Sequence, residues 1–379
     1  MIDRSQNRPD RLFLFLIIVV MGLGLVIQYS ASSALAAAKF NNPTLYFKGH
    51  LIRMLMGIVL CAFFAFLDYR HLKRAAFWLV LVSLGLLLAA LVYKMLHPNQ
   101  DTARWLPLGP FNLQPSEVAK LAVIMYAASF IDRHQRNLDD IKTGFLPPAF
   151  ALSAILFLIV LATDFSSAAV IALIGMIVLI IGGSKMKHIF YLVGCYVLAA
   201  IPVVLRSPYR LARILTFFSP EQDVQGAGYQ INQSLISLGN GGLFGSGLAG
   251  GIEKNLFLPD PHTDFIFAVV GEEFGFLGTT VLLTLFIWIF LKAIKIALRT
   301  SDIFGRLLGI GLATSMFMYV LLNVGVVCGL LPVTGLPLPF FSYGGSTMLF
   351  NFTCAGIILN LSRHTEKENQ TIEPVVLYA

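Results

Sequence analysis

About ten long apolar runs constrain the fold of this chain more than any other feature, because each is long enough to cross or nearly cross a bilayer as a helix. They lie near residues 12–30, 50–67, 75–96, 115–131, 146–163, 167–183, 188–205, 265–291, 303–327 and 339–361. Charged residues make up only 12% of the chain, against about 25% in a soluble domain. The sequence therefore predicts an all-α integral membrane protein with about ten transmembrane helices.

The distribution of Lys and Arg predicts that both termini are cytoplasmic, since the short loops on that side then carry most of the basic residues. Residues 206–263 become a large extracytoplasmic loop between spans seven and eight, and residues 362–379 a cytoplasmic tail. The net charge of +7 reflects this topology, so it does not indicate nucleic-acid binding. The sequence SALAAA at 33–38 resembles a signal-peptide cleavage site, but the preceding apolar run exceeds the usual length, which favours an uncleaved first span.

The stretch Leu258–Gly278, LPDPHTDFIFAVVGEEFGFLG, places three acids at or inside a membrane span. An acid at the middle of a bilayer costs roughly 2.5 to 3.5 kcal/mol, so Asp264, Glu272 and Glu273 must be paired, solvated by a cavity or used in chemistry. Thr263 or Asp264 could instead cap the following helix. A cap does not explain Glu272 and Glu273, which lie further along the helix.

Polar residues on the predicted outer face form further candidates. Glu117 and Lys120 share one helix face, either as a neutralising ion pair or as the wall of a headgroup cavity, and Lys120 is the one basic residue that this topology keeps from a surface. Asp164 either caps a helix or joins Asp264 on the outer side. Arg210 and Arg213, in an amphipathic segment, suit either a pyrophosphate or lipid headgroups. The other candidates are Arg104, Trp105, Gln233, His262, Thr263, Ser342, Tyr343 and Gly344.

Some familiar site patterns are absent or misleading in the sequence. Gly245, Gly247 and Gly250 formally spell a dinucleotide-binding motif, but no strand precedes them, so we expect them to permit a tight re-entrant loop. The four Cys and seven His residues are dispersed, which predicts no nitrogen or sulfur metal site. No organic cofactor is expected.

Several stretches together resemble one family, the SEDS peptidoglycan polymerases that include RodA and FtsW. They are RWLPLG with QPSEVAK, YRLARI, GYQINQSL, LPDPHTDFIFAVVGEEFG and GLLPVTGLPLPFFSYGGS, and they span nearly the whole chain in order. The resemblance implies one SEDS membrane domain over 1–379, and YSASS and HTDFIFAVVGEE look more like the division member FtsW. The chain departs from the family pattern Gln/Glu-Pro-Asp-x-Gly at residues 162–166, where it keeps only Asp164.

The resemblance implies an inverting glycosyltransferase that polymerises lipid II at the outer face of the cytoplasmic (inner) membrane for septal wall synthesis. The family's essential aspartate matches Asp264, which is expected to act as a general base or to bind Mg²⁺ or Mn²⁺. Lys120, Arg210 and Arg213 are assigned to pyrophosphate, Glu117 to orienting Lys120, and Asp164, Glu272 and Glu273 to the polar interior. Arg104, Trp105, His262, Thr263, Gln233, Ser342, Tyr343 and Gly344 complete the expected substrate site.

The resemblance also implies partners, namely a class B penicillin-binding protein that cross-links the glycan and other membrane proteins of the division machinery. Three alternatives stay open: a RodA-type polymerase of cell elongation, a transporter that flips lipid II, and a scaffold without chemistry. The polar residues cluster on the outer side and the two halves show no repeat, which disfavours a transporter. A scaffold would tolerate Asn at position 264, whereas the enzyme would not.

Overall fold

The computed structural model describes residues 9–97, 103–108, 111–138, 140–219, 223, 226–255 and 257–364. Within them the chain is mostly helical, with one short hairpin before α4. The helices are α1 Arg11–Phe40, α2 Leu45–Phe66, α3 Tyr69–Leu96, α4 Pro115–Arg133, α5 Leu146–Leu161, α6 Phe165–Ile181, α7 Met186–Leu205, α8 Pro208–Phe218, α9 Ala227–Gly241, α10 Ile266–Leu298, α11 Ile303–Val327 and α12 Gly345–Arg363. The hairpin pairs β1 Leu106–Leu108 antiparallel with β2 Phe111–Leu113.

The prediction of an all-α, multi-pass membrane protein is confirmed. Among the described residues, seven helical segments are long and apolar enough to cross a bilayer: α1, α2, α3, Ile141–Leu161, α7, α10 and α11. Ile141–Leu161 is α5 extended by a π-helical turn, Ile141–Phe145, and α6 is apolar but shorter. The count of ten spans and the outer placement of residues 206–263 stay predictions.

Side chains at the helix starts explain where several helices begin. Asp10, Asp68, Asp164 and Asp302 each accept a hydrogen bond from a backbone N–H in the first turn of the following helix. Pro115 occupies the first position of α4, as the sequence predicts. The start of α10 differs, because its N-cap is Phe265 and makes no side-chain bond. Neither Thr263 nor Asp264 therefore caps α10.

The core is built around α11 and α12, whose side chains are mostly buried. Helix α2 runs alongside α12 and parallel to it, so close that a Cβ on Gly57 would lie 2.1 Å from the Phe352 ring. Helices α4 and α6 pack against α11, and α1, α9 and α11 pack against α10. Large apolar side chains such as Phe63, Trp78 and Phe157 point outward, as expected for surfaces that face lipid.

The glycine-rich segment after α9 lies against a kink in α10. Gly275 interrupts that helix with φ 66° and ψ −166°. Here the N–H groups of Ser246 and Gly247 donate to the carbonyls of Glu272 and Glu273, each at 3.0 Å. A Cβ at Gly245 would come within 2.2 Å of the Glu273 carbonyl oxygen. The glycines thus permit direct backbone contact between this segment and α10.

Candidate active site

Asp264 lies on the turn that enters α10, and within the described residues no side chain or backbone group donates a hydrogen bond to its carboxylate. Its backbone carbonyl accepts from Asn323 Nδ2 at 2.7 Å, and the same nitrogen donates to the Leu336 carbonyl at 2.8 Å. A Cβ at Gly335, where φ is +70°, would lie 3.4 Å from Asp264 Oδ2. The backbone of Asp264 is therefore fixed against the segment before α12, while its carboxylate keeps its hydrogen-bonding capacity.

Burial raises the pKa of Asp264 from its usual value to about 6. The negative charge of Asp260 adds to this rise, whereas the positive charges of Arg213 and Arg104 oppose it. A carboxylate with a pKa near 6 is mostly ionised at neutral pH, and it is more basic than an ordinary aspartate. These are the properties of a general base that operates near neutrality.

The turn that carries Asp264 is bonded to the segment between α11 and α12. Ser342 Oγ donates to the Thr263 carbonyl and accepts from the Leu338 N–H, and the Tyr343 N–H donates to the His262 carbonyl at 2.9 Å. The ring of His262 packs at 4.4 Å on Tyr46 of α2. With its amide nitrogen oriented inward, Gln28 of α1 donates to the carbonyls of His262 and Phe341. Ser342, Tyr343 and His262 thus hold the loop in place.

Arginines from two other segments approach this turn. Arg213 on α8 donates from Nη1 to the Val333 carbonyl at 2.9 Å, which brings its charge to the segment that contacts Asp264. Arg104, which precedes β1, donates from Nη2 to the Thr163 carbonyl at 2.8 Å and lies 3.8 Å from Asp164. Arg210 instead donates to the Val203 carbonyl at the end of α7 and lies over the Phe165 ring. Arg213 and Arg104 are therefore the arginines whose charges act on Asp264.

Asp164 links the Arg104 region to the first turn of α4. Its carboxylate accepts from Gln114 Nε2 at 3.0 Å, from Ser116 Oγ at 3.2 Å and from the Ser167 N–H. Thr163 has φ 65°, which a proline ring cannot adopt. The departure from the family's Pro-Asp pattern thus coincides with a backbone conformation that excludes proline.

Glu117, in the first turn of α4, forms a buried ion pair with Lys120 of the next turn. Lys120 Nζ lies 2.8 Å from Glu117 Oε2, and the two residues are 1% and 4% exposed. Tyr319 of α11 and Thr347 of α12 both donate to Glu117 Oε1. The ammonium also lies 3.8 Å from the centre of the Tyr319 ring and 3.9 Å from that of Phe350. The pair is held rigidly by aromatic rings and hydroxyl groups.

Glu272 and Glu273 bind a different part of the chain from Asp264. Glu272 Oε1 accepts from the N–H groups of Ile252 and Glu253. Glu273 forms an ion pair with Lys254 and accepts from Ser30 of α1. Lys254 is also buried, with an exposure of only 4%. The prediction that Lys120 is the one basic residue kept from a surface is therefore wrong. No local pattern marks Lys254, because its partner Glu273 lies 19 residues away.

The remaining candidates surround the site with fewer contacts. Trp105 is 39% exposed beside Arg104, Gln233 is half-buried on α9, and Gly344 is the N-cap of α12. Thr263 donates to the Asp260 carbonyl, within the turn itself. Their placement provides surfaces next to the turn that carries Asp264, and their roles stay predictions.

The residues around Asp264 fit a metal ion bound by one carboxylate together with substrate phosphates and water. Within the described ranges, no group of three or more His, Cys, Asp or Glu side chains could hold an ion. Mg²⁺ is often bound by one or two carboxylates together with substrate phosphates and water. Asp264, whose carboxylate accepts no hydrogen bond from the described residues, suits that arrangement.

Comparisons with known proteins agree with this architecture. A family model for FtsW, RodA and SpoVE, described as cell cycle protein, matches residues 10–367. The chain is 40% identical to a probable peptidoglycan glycosyltransferase FtsW of Trichlorobacter lovleyi over 341 residues, 89% of each chain. It is 34% identical to stage V sporulation protein E of Bacillus subtilis, covering 95% of this chain and 99% of that one.

A solved structure extends the similarity to the fold. That structure is of a peptidoglycan synthase complex, and its description refers to structural coordination of polymerization and crosslinking. It matches with a TM-score of 0.75 and 27% identity, over 94% of this chain and 98% of its own. Sequence and fold therefore agree over almost the full length of the described helices, and the chain belongs to the FtsW, RodA and SpoVE family.

Proposed function

We infer that this membrane protein is a peptidoglycan glycosyltransferase of the FtsW type, which polymerises lipid II for septal wall synthesis, with Asp264 as its catalytic residue. The observation that carries the assignment of Asp264 is its carboxylate, which accepts no hydrogen bond from the described residues although its backbone is fixed by Asn323. The 40%-identical relative is named a probable peptidoglycan glycosyltransferase, which supports the reaction class. In this reaction Asp264 removes a proton from the acceptor, and the cationic residues stabilise the leaving group.

Glycosyl transfer with inversion requires a base on one side of the anomeric carbon and positive charge on the other. The oxygen of the acceptor's 4-hydroxyl forms the new bond to that carbon, and the hydroxyl proton passes to the Asp264 carboxylate. The bond from the carbon to the pyrophosphate oxygen breaks, and the lipid pyrophosphate leaves with the electron pair. A pKa of about 6 equips Asp264 for the proton transfer.

Cationic groups near the site supply the charge that the leaving group needs. Arg213 and Arg104 act electrostatically on Asp264, and the Glu117–Lys120 pair begins directly after Ser116, which binds Asp164. Lys120, Arg213 and Arg210 are assigned to pyrophosphate, because guanidinium and ammonium groups stabilise phosphate oxygens. In the alternative role of Asp264 as a metal ligand, Mg²⁺ or Mn²⁺ held by Asp264 and the pyrophosphate would supply the neutralisation of charge.

The remaining assignments concern topology and partners. The reaction is placed at the outer face of the cytoplasmic membrane, with ten spans and both termini inside, which the distribution of Lys and Arg supports. A cross-linking partner, a class B penicillin-binding protein of the division machinery, is supported by the similarity to a synthase complex that couples polymerization to crosslinking. A transporter of lipid II remains the second candidate, and the buried ion pairs alone favour it.

Glycan synthesis from purified lipid II tests the assignment directly. The full chain and its Asp264→Asn variant, each with the transpeptidase partner, are compared with and without Mg²⁺ or Mn²⁺. Polymer from the wild type and none from the variant supports a polymerase centred on Asp264. Equal polymer from both refutes that residue's role. Absence of polymer from both, together with movement of lipid II across reconstituted vesicles, would favour the transporter.

A further inference from the structure

Arg53 is a charged residue inside the apolar helix α2, and it is not among the residues assigned to glycosyl transfer. It lies more than two turns beyond the start of that helix at Leu45. A charged side chain within a membrane span is costly and needs a partner. Within the described parts of the chain, no carboxylate lies within ion-pair distance of Arg53, and its guanidinium instead lies 4.2 Å from the centre of the Tyr343 ring. Its Nη1 is buried and donates no hydrogen bond to any residue that the structure describes.

The Tyr343 ring connects Arg53 to the turn that carries Asp264. The Tyr343 N–H donates to the His262 carbonyl, two residues before Asp264. Gly49, one turn before Arg53, leaves room for the ring, because a Cβ there would lie 2.7 Å from the Tyr343 hydroxyl. A guanidinium stacked on an aromatic face keeps its edge free, and that edge carries the paired N–H donors that bind phosphate oxygens.

His50 provides a second polar side chain without a partner on the same face of α2. It is 0% exposed, and neither of its ring nitrogens makes a hydrogen bond within the described residues. Gly57 contacts Phe352 and Cys61 contacts Gly356, so the parallel helices α2 and α12 keep one register. His50 lies seven residues before Gly57, and Gly345 lies seven residues before Phe352. His50 is therefore level with the first turn of α12. A Cβ at Gly345 would lie 3.6 Å from Arg53 Nε.

We propose that Arg53, stacked on Tyr343, and His50 form a phosphate-binding subsite at the outer end of the α2–α12 interface. The subsite lies on one side of the first turn of α12, and Thr347 on that turn contacts the Glu117–Lys120 pair on the other side. A lipid pyrophosphate that reaches Asp264 from this side brings its charge to Arg53. The identity of this ligand rests on the proposed function, since an anionic phospholipid headgroup offers the same phosphate chemistry.

Equilibrium binding of farnesyl pyrophosphate tests the subsite without requiring turnover. The full chain is placed in phosphatidylcholine nanodiscs and compared with Arg53→Met, Arg53→Lys and His50→Leu. Arg363→Met is the matched control, because Arg363 also lies over an aromatic ring, that of Phe66, but at the opposite end of the same two helices. We expect Arg53→Met to raise the Kd at least tenfold, Arg53→Lys and His50→Leu to raise it severalfold, and Arg363→Met to leave it unchanged.

The outcomes separate the subsite from the proposed function. Equal Kd values for wild type and Arg53→Met, or equal weakening by Arg53→Met and Arg363→Met, would overturn the subsite. If wild type binds no farnesyl pyrophosphate but retains phosphatidylglycerol in an Arg53-dependent manner, the phosphate belongs to a phospholipid headgroup. Glycan synthesis is assayed in parallel. A wild type that binds through Arg53 yet makes no polymer from lipid II refutes the polymerase and leaves the subsite standing.

Discussion

Two acids of one segment, Asp264 and Glu273, lie nine residues apart and have opposite environments. Glu273 forms an ion pair with Lys254 and accepts from Ser30, so its charge is compensated in a buried place. Asp264 receives no hydrogen bond on its carboxylate from the described residues, and burial raises its pKa to about 6. A compensated carboxylate stabilises a fold, whereas an uncompensated one is available for proton transfer or ligand binding.

The two acids also differ in what they hold together. Glu273 connects α10 to the loop before it and to α1, through contacts that are distant in sequence. Asp264 is itself held, through the bonds that Asn323, Ser342 and Tyr343 make with its turn. Glu273 therefore stabilises the packing of α10 against the preceding loop and α1, whereas Asp264 is positioned by the groups that bind its turn.

The largest expected effect is on catalysis. Asp264→Asn should lower the rate of glycan synthesis from lipid II by about 10²- to 10⁴-fold, the usual contribution of a general base, while folded yield stays normal. Glu273→Gln should do the reverse, with a lower folded yield and a nearly normal rate per folded molecule. Gel-filtration profiles and polymer yields of the two variants check this pair. A strong rate loss per folded molecule in Glu273→Gln would erase the contrast between the acids.

The next effect is on stability. Glu273→Gln leaves the Lys254 ammonium buried without a countercharge, which typically costs about 3 to 5 kcal/mol. The double variant Lys254→Met with Glu273→Leu removes both charges and should recover most of the loss. Thermal unfolding in one detergent compares the single and double variants. A double variant that is no more stable than Glu273→Gln would show that the ion pair is not the source of the loss.

The third effect is the dependence of the rate on pH. Because the pKa of Asp264 is raised to about 6, the rate should fall about tenfold per pH unit below 6 and level off above it. Arg213→Gln removes a positive charge that lowers this pKa, so the midpoint should move to higher pH. Initial rates from pH 5 to 8 measure both profiles. A flat profile through pH 6, with folded protein throughout, would contradict a base at Asp264.

The smallest effect is a gain of stability. The folded pKa of Asp264 lies above its unfolded value of 3.8, so the folded state binds the proton more tightly and loses stability as the pH rises from about 4 to 6. Asp264→Asn removes this loss, and its unfolding temperature at pH 7 should rise by about 1–3 °C. Ala in place of Asn provides a control without the amide. An unfolding temperature below that of the wild type would show that the carboxylate contributes to stability.

The sequence predicted the helices well, because their signals are local. Pro115 begins α4 and Asp164 caps α6, as their positions indicated. The Glu117–Lys120 pair was also predictable, since i, i+3 spacing places both on one helix face. Neither Lys254 nor Arg53 is recognisable from the sequence. Lys254 lies in a glycine-rich loop, and Arg53 resembles an ordinary basic residue until its neighbours are known.

The sequence by itself determined a membrane protein, its main helices and the exceptional placement of its acids, because length, apolarity and charge act within one segment. Tertiary structure alone decided which acid is compensated. Lys254 pairs with Glu273 where Gly275 kinks α10 against the glycine-rich segment, and the segment before α12 packs against the half-buried Asp264. Contacts between residues far apart in the chain set the burial and the field at each carboxylate, and these two quantities decide what an acid can do.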